Sequence, residues 1–384
     1  GNRPIEPYEM ATIMSEKGLI VYDQKTWRIS GEWLDEKRLS NLRDMIEAKN
    51  ADSPYLDKSR EDLLDSLGMI KDEGNESLPT TTGLLFVGNQ TALRELPFYE
   101  VKYIHYFEDG TYKPYEYKGN IIEVAKSCFA QLKAEIKQKE YIFGLFREYV
   151  EDYSEIVIRE LLINALAHRS LSRQQIVEIR KYDDGGYLEI ESPGTFPEGV
   201  TVNNYLRKTN PRNPNVMDIL REIGLAEKAG SGFDKIFTDL LKKGKSLPEP
   251  EETENSVIFR IKSNVVSEKL IELSLLYENQ VGKPMKLDEL LVLSEVVNNK
   301  RVKVADLANI PNMGAYRLQS VIDRLCGLEF IEPSGKTSGL SYILHVGKRK
   351  DLDDKIDYVK SKKQEKARQK EAILRYLDSI PTIN

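Results

Sequence analysis

The chain has 384 residues, a net charge of −6, and 40% hydrophobic and 31% charged residues. That length implies two or three domains with sizeable cores, and no run approaches the ~20 apolar residues of a membrane helix. The acidic balance excludes a protein that coats nucleic acid over its whole surface. A local basic patch remains open, because residues 299–350 carry nine Lys/Arg against four Asp/Glu and phosphate binding depends on where such residues cluster. The N-terminus lacks a secretion-signal pattern. Cys128 and Cys326 stand far apart without metal-ligand spacing, so both read as inert thiols of a cytoplasmic protein.

Residues 1–53 combine a strand-like run, Gly18 to Val21, with a polar helix after Trp33. They read as a remnant or linker of a preceding domain, with too little to bury and an abrupt start at Asn2-Arg3-Pro4. Residues 54–264 form the main domain. Within it, 54–70 read as an amphipathic helix ending at Gly68, Leu84 to Gly88 and Val101 to Phe107 as strands, and 119–150 as one long Lys- and Glu-rich helix. Ile156 to Ala167 is a helix with few polar positions. Ile176 to Lys181 and Tyr187 to Glu191 form a hairpin turned at Asp183-Asp184-Gly185-Gly186. A polar loop from Thr201 to Arg212 leads to a helix in which Asn213 reads as the N-cap and Pro214 as the first helical residue. Ala229-Gly230-Ser231-Gly232 opens another helix reaching about Lys243, and Val257 to Ile261 is a closing strand. Strands and helices that alternate around a hairpin predict an α+β fold, a mixed sheet with helices on one face.

Residues 265–346 change character: a linker and first helix, then Leu287 to Asn298, a short helix over Val302 to Ala308, and a third helix from Asn312. Leu328 to Glu332 and Leu340 to Leu344 flank a Gly335–Gly339 turn. This order resembles the winged-helix family, whose third helix enters the major groove of duplex DNA. The resemblance points Tyr316, Arg317, Gln319, Ser320 and Arg324 at DNA, and Leu318, Val321, Ile322 and Leu325 inward. Lys336 and Thr337, in the wing, reach phosphate or minor groove. The alternative use of such a module is to join subunits. Residues 347–384 read as a charged helical tail and the start of a truncated further module.

The strongest chemical signal lies in the 156–167 helix. Glu160, Asn164 and His168 are spaced i, i+4, i+8 and share one face. A helix apolar nearly all round is buried, so a carboxylate and an amide on it need partners or a cleft. His168 reads as a satisfied helix end; Glu160 and Asn164 read as functional. Glu160-Leu-Leu-Ile-Asn164-Ala-Leu-Ala-His168-Arg169 resembles the Asn-bearing helix of the GHKL ATPases. It resembles more closely a divergent branch found in bacterial and archaeal transcriptional regulators, with a Schlafen-type AlbA-like domain in front and a winged helix behind. Gly83 to Gly88, Glu191 to Gly194, Phe196 to Thr201, Arg212-Asn213-Pro214 and Ala229 to Gly232 match that branch's motifs in order. The resemblance implies that Glu160 orients or deprotonates an attacking water and that Asn164 holds Mg²⁺ on the phosphates of ATP. It implies nucleotide contacts from Glu191, Ser192, Gly194, Arg212, Gly230, Ser231 and Gly232.

Two places depart from the pattern. Active GHKL enzymes end this strand with an Asp that accepts the adenine amino group and follow it with two glycines; here Ser192 stands in that place, Glu191 lies beside it, and one glycine is missing. The last glycine box is also one glycine short. Three readings stay open: a DNA-binding transcriptional regulator with a nucleotide-holding domain, a Mg²⁺-dependent ATPase coupled to DNA, and a dimerisation scaffold. Regulators of this type match two-fold sites, which predicts a homodimer.

Overall fold

The computed structural model describes residues 20–96, 100–143, 146–202, 204–205, 210–227, 231–299, 301–310, 313–335 and 340–348, with Met10 and Met14. The described chain divides into two units, the first built mainly from residues before 267 and the second from the hairpin near 140–150 and residues beyond 266.

In the first unit, α1 (Glu36–Lys49) and α2 (Arg60–Ser66) precede a small, mostly exposed hairpin, β1 (Ile70–Glu73) and β2 (Glu76–Pro79), and α3 (Thr81–Val87) and α4 (Gln90–Leu93) come after it. β3 (Glu100–Tyr106), β4 (Tyr112–Lys118), α5 (Ile121–Ala134), α6 (Glu155–His168), β7 (Val177–Tyr182) and β8 (Tyr187–Pro193) follow; β5 (Gln138–Phe143) and β6 (Phe146–Glu151), between the two helices in sequence, form the hairpin that belongs mainly to the second unit. Then come α7 (Pro214–Glu222), α8 (Ser231–Lys242), β9 (Glu249–Glu252) and β10 (Ser256–Lys262). Six strands join in the order β4-β3-β7-β8-β10-β9. β3 pairs parallel with β7, and the other neighbours run antiparallel. This is the expected mixed sheet with helices on one face. The register aligns Tyr103 with Ile179 and Ile179 with Ile190, an inward row buried beside Leu161 and Leu162 of α6.

Several expectations fail at this level. Residues 84–88 are not a strand: Thr80 accepts a hydrogen bond from Gly83 N and starts the helix α3. The helix expected over 119–150 ends at Ala134 and gives way to the β5–β6 hairpin. The helix expected over 54–70 is confined to Arg60–Ser66. Residues 22–50 are not a loose remnant, because Leu34, Leu39, Leu42 and Ile46 are buried, Trp27 Nε1 donates to Thr81 Oγ1 at 2.9 Å, and Asp35 N donates to Val87 O at 2.8 Å.

The cap of α7 is also not the expected one. The Asn213 amide leaves the helix and donates to Ala167 O and Arg169 O at 2.9 and 2.8 Å. Asp23, 0% exposed, takes over the cap: its Oδ2 accepts from Asn215 N and Val216 N at 2.8 and 3.3 Å. A carboxylate at a helix N-terminus is favoured by the helix dipole, but burial wins here and pushes the Asp23 carboxyl up to about 6 from 3.8. The native state therefore holds a proton that the unfolded chain releases. The resulting stability is present below about pH 4 and is lost as the pH rises through about 6, a change of up to about 3 kcal/mol. Asp23→Asn is neutral throughout, so its thermal midpoint is expected to gain on the wild type between pH 4 and 7. Parallel midpoints across that range would refute this.

In the second unit, α9 (Glu268–Val281), α10 (Leu287–Asn298), β11 (Val302–Lys303), α11 (Val304–Leu307), α12 (Ala315–Gly327), β12 (Ile331–Ser334) and β13 (Ser341–Leu344) follow in sequence. The strands form a sheet in the order β11-β13-β12. Leu318, Val321, Ile322 and Leu325 are buried as expected. Lys336, Thr337 and the tail beyond Lys348 lie outside the described residues.

Candidate functional site

Ser154 caps α6, its Oγ accepting from Val157 N at 3.4 Å. Glu160, Asn164 and His168 all line one pocket, so the stripe spans about 12 Å of helix axis. Glu160 is 3% exposed, and its Oε1 lies 2.6 Å from Arg159 Nη2. Burial pushes its carboxyl above the usual range, and the Arg159 and Lys235 charges pull it back. Gly232, in the first turn of α8, packs close to this pair. A Cβ on Gly232 would sit 3.2 Å from Glu160 Oε2 and 3.9 Å from Asn164 Nδ2. The first turn of α8 therefore lies against both side chains. Glycine at 232 permits the approach. Gly230 lies outside the described residues, as does the side chain of Ser231, the first residue of α8.

The rest of the wall is mostly apolar: Ile190 and Ser192 from β8, Val257 and Phe259 from β10, Phe233 from α8, and Phe196 and Tyr205 from the loop. Tyr205 meets Phe233 edge-on at 4.8 Å, and Phe233 lies 5.5 Å from Phe259. Gly194 also lines the pocket at φ +94, where an added Cβ would come 2.8 Å from Ser170 Cβ. Positive φ and close packing together require glycine there.

Two expected ligand contacts point elsewhere. Side chains alternate along a strand, so Ile190 and Ser192 face the pocket while Glu191 takes the other face of the sheet. There Glu191 Oε2 meets Arg180 Nη2 at 2.5 Å, and Glu178 shares the same guanidinium at 2.9 Å. Arg212 is turned to the loop, donating to Thr195 O at 2.5 Å, and does not line the pocket. His168, expected to be a satisfied helix end, instead opens on the pocket, and among the described residues no hydrogen bond reaches its ring. Arg221 and Glu227 also line the pocket without having stood out in the sequence; both lie in an ordinary-looking charged stretch.

In the second unit, the two α12 arginines are held by the first turn of α10. Arg317 pairs with Asp288. Arg324 Nε lies 2.6 Å from Glu289 Oε1 and, with Nη2, donates to Tyr277 Oη at 3.1 Å. Tyr277 in turn donates to Glu289 at 2.8 Å. Tyr316, 90% exposed, and Ser320 remain open on the same helix.

Comparison with known proteins places these features. Residues 175–261, which carry the β7–β10 half of the pocket, match a family model described as "Putative ATP-dependent DNA helicase recG C-terminal". Residues 22–102 match a domain of unknown function, DUF8451. No curated protein matches the chain. The crystal structure of the DIP2311 protein from Corynebacterium diphtheriae superposes with a TM-score of 0.68 at 18% identity, over 91% of this chain and 69% of that one. The chain contains an ATPase-like domain.

Proposed function

We propose that the protein is a DNA-binding transcriptional regulator whose ATPase-like domain holds a purine nucleotide with Mg²⁺, acting as a homodimer. The observation that carries the nucleotide half is the Glu160–Asn164 pair on the pocket floor, faced by the opening turn of α8. Among the described residues no group of three or more His, Cys, Asp and Glu is placed to hold a metal. Mg²⁺ draws most of its oxygens from phosphate and water and needs only one or two protein ligands. Asn164 would hold the ion, which supplies charge neutralisation at the phosphates. Glu160 would orient a water and accept its proton. Ser192 supplies a neutral oxygen where a carboxylate would make a hydrogen bond about twice as strong, so ATP affinity is expected to be weak. Titrating the purified chain with ATP and Mg²⁺ tests this; no saturable binding at millimolar ATP removes the nucleotide reading.

The DNA half rests on the α10–β13 order and on the basic balance of residues 299–350. Binding is expected to fall with salt at a log–log slope of about −0.9 per phosphate neutralised. Arg317→Ala should weaken a specific site by about 1–3 kcal/mol. Asp288→Asn frees Arg317 and should strengthen binding. The ion pairs that hold Arg317 and Arg324 favour a second reading, in which this module joins subunits. Under it, none of these changes moves a gel shift, and substitution of Tyr316 shifts the oligomer on a sizing column.

A further inference from the structure

Among the described residues β5 and β6 form a two-stranded sheet by themselves. A lone hairpin is marginal in water, and its outer edges offer backbone groups to another strand. Phe143 and Val150, on one face, are buried, while Ile142, Arg147 and Tyr149, on the other, are exposed. The base of the hairpin fixes its register. Asp152 N donates to Lys137 O at 2.8 Å, which sets Glu140 opposite Tyr149 and Ile142 opposite Arg147. Side chains on the open face agree. Tyr149 Oη donates to Glu140 Oε1 at 3.2 Å, and Arg147 Nη1 lies 3.5 Å from the same oxygen. Hydrogen-bonded positions alternate along an antiparallel strand. Asp152, Val150 and Glu148 therefore turn their backbone groups toward β5, and Arg147 and Tyr149 turn theirs to the outer edge.

We propose that the outer edge of β6 pairs antiparallel with β6 of a second copy of this chain, about a two-fold axis at Tyr149. The proposal rests on the homodimer reading and gives it a surface. The charges of the strand itself choose the partner and the register. A two-fold axis at residue 147 would oppose Arg147 to its own copy, and one at residue 148 would do the same to Glu148. An axis at residue 150 would set Glu148 against Asp152. The axis at Tyr149 instead sets Arg147 opposite the partner's Glu151 on both sides and Tyr149 opposite the partner's Tyr149. Unlike charges and aromatic pairs facing each other across strands are stabilising. The β5 edge offers no such match, because its two charges, Lys139 and Glu140, lie on opposite faces. The same patch serves both copies, so the contact closes at the dimer. Two six-residue strands bury less than the ~1,200 Å² of a standard interface, so the contact is reversible and depends on concentration.

Sedimentation velocity of the full chain, in a concentration series reaching the high micromolar range, tests this. Wild type is expected to pass from monomer to dimer along the series. Arg147→Glu and Glu151→Arg each set like charges against each other at two places. Each should weaken the dimer about tenfold, the size of two cross-strand pairs turned from attraction to repulsion. In an equimolar mixture of the two variants, one strand carries two carboxylates and the other two guanidinium groups. Every pair is again unlike, and the dimer should return. Tyr149→Pro removes the N–H at the axis; proline is tolerated on an edge strand where that group faces solvent, so this variant should fold and stay monomeric. Thermal midpoints show that each variant folds. A wild-type dimer that none of these changes weakens overturns the proposal and leaves the homodimer reading on another surface. Weakening in each single variant without recovery in the mixture also overturns it. A wild type that stays monomeric throughout the series overturns the homodimer reading itself, and the proposal falls with it.

Discussion

Under the proposed nucleotide reading, where ATP turnover is measurable, Glu160→Gln is expected to lower it by about 10²–10⁴-fold, the range for losing a positioned general base, with ATP affinity nearly unchanged. The amide keeps the shape of the carboxyl and cannot accept the proton. The substitution should not cost stability. Burial already disfavours the Glu160 charge in the folded chain, raising its carboxyl above the ordinary value, so a neutral isostere removes a penalty larger than the Arg159 and Lys235 attractions it gives up. The same direction sets the pH profile. The working form is the carboxylate, so wild-type turnover should fall as the pH drops through a value above the usual carboxylate range. Arg159→Gln removes the largest compensating charge and should move that acid limb further up in pH. A steady-state rate series on wild type and both variants decides it. Turnover that survives in Glu160→Gln takes Glu160 out of the chemistry.

The parts of this site visible in the sequence were those set by local pattern. The i, i+4, i+8 stripe on an apolar helix put Glu160 and Asn164 on one wall, and the structure keeps them there with His168. The glycine-marked hairpin of β7 and β8 and the Pro214 start of α7 are local as well. The errors share a different cause. Leu84-Leu85-Phe86-Val87 is a short apolar run, and periodicity alone does not separate a buried strand from a buried helix turn; the Thr80 cap decided it. β9, Glu249-Pro250-Glu251-Glu252, went unseen because an edge strand with exposed acidic residues carries no apolar signal.

The ligand contacts divide in the same way. Glu191 was legible and misread: the strand period of two already sends 190 and 192 to one face and 191 to the other. The fate of Asn213 was not legible. Nothing near residue 213 announces that its amide serves the end of another helix, or that its capping role falls to Asp23, far off in the sequence. Such choices are settled by which orphan carbonyls and N–H groups the tertiary fold brings together, and that information is spread over the whole chain.

The second large effect lies away from the pocket, under the other half of the sheet. His105 on β3 is 8% exposed, and both ring nitrogens face carboxylates: Nδ1 is 3.0 Å from Glu135 Oε2 and Nε2 is 2.9 Å from Asp183 Oδ1. Glu135 is further bound by Tyr103 Oη at 2.6 Å and by Lys181 Nζ at 3.2 Å. Asp183 begins the β7–β8 turn, so His105 ties that turn to the end of α5. Replacing His105 with Leu fills the space and leaves two carboxylates facing hydrocarbon. A fully buried pair broken in this way costs about 3–5 kcal/mol. Asp183 keeps 24% side-chain exposure and Glu135 retains its other partners, so the expected loss is nearer 2–3 kcal/mol. The double variant His105→Leu with Asp183→Asn should recover part of that loss, because it removes the stranded charge along with its partner. Denaturant unfolding of the single and double variants measures the coupling directly. If His105→Leu changes stability by less than about 0.5 kcal/mol, the level of an ordinary surface substitution, the cluster is not holding the turn against α5.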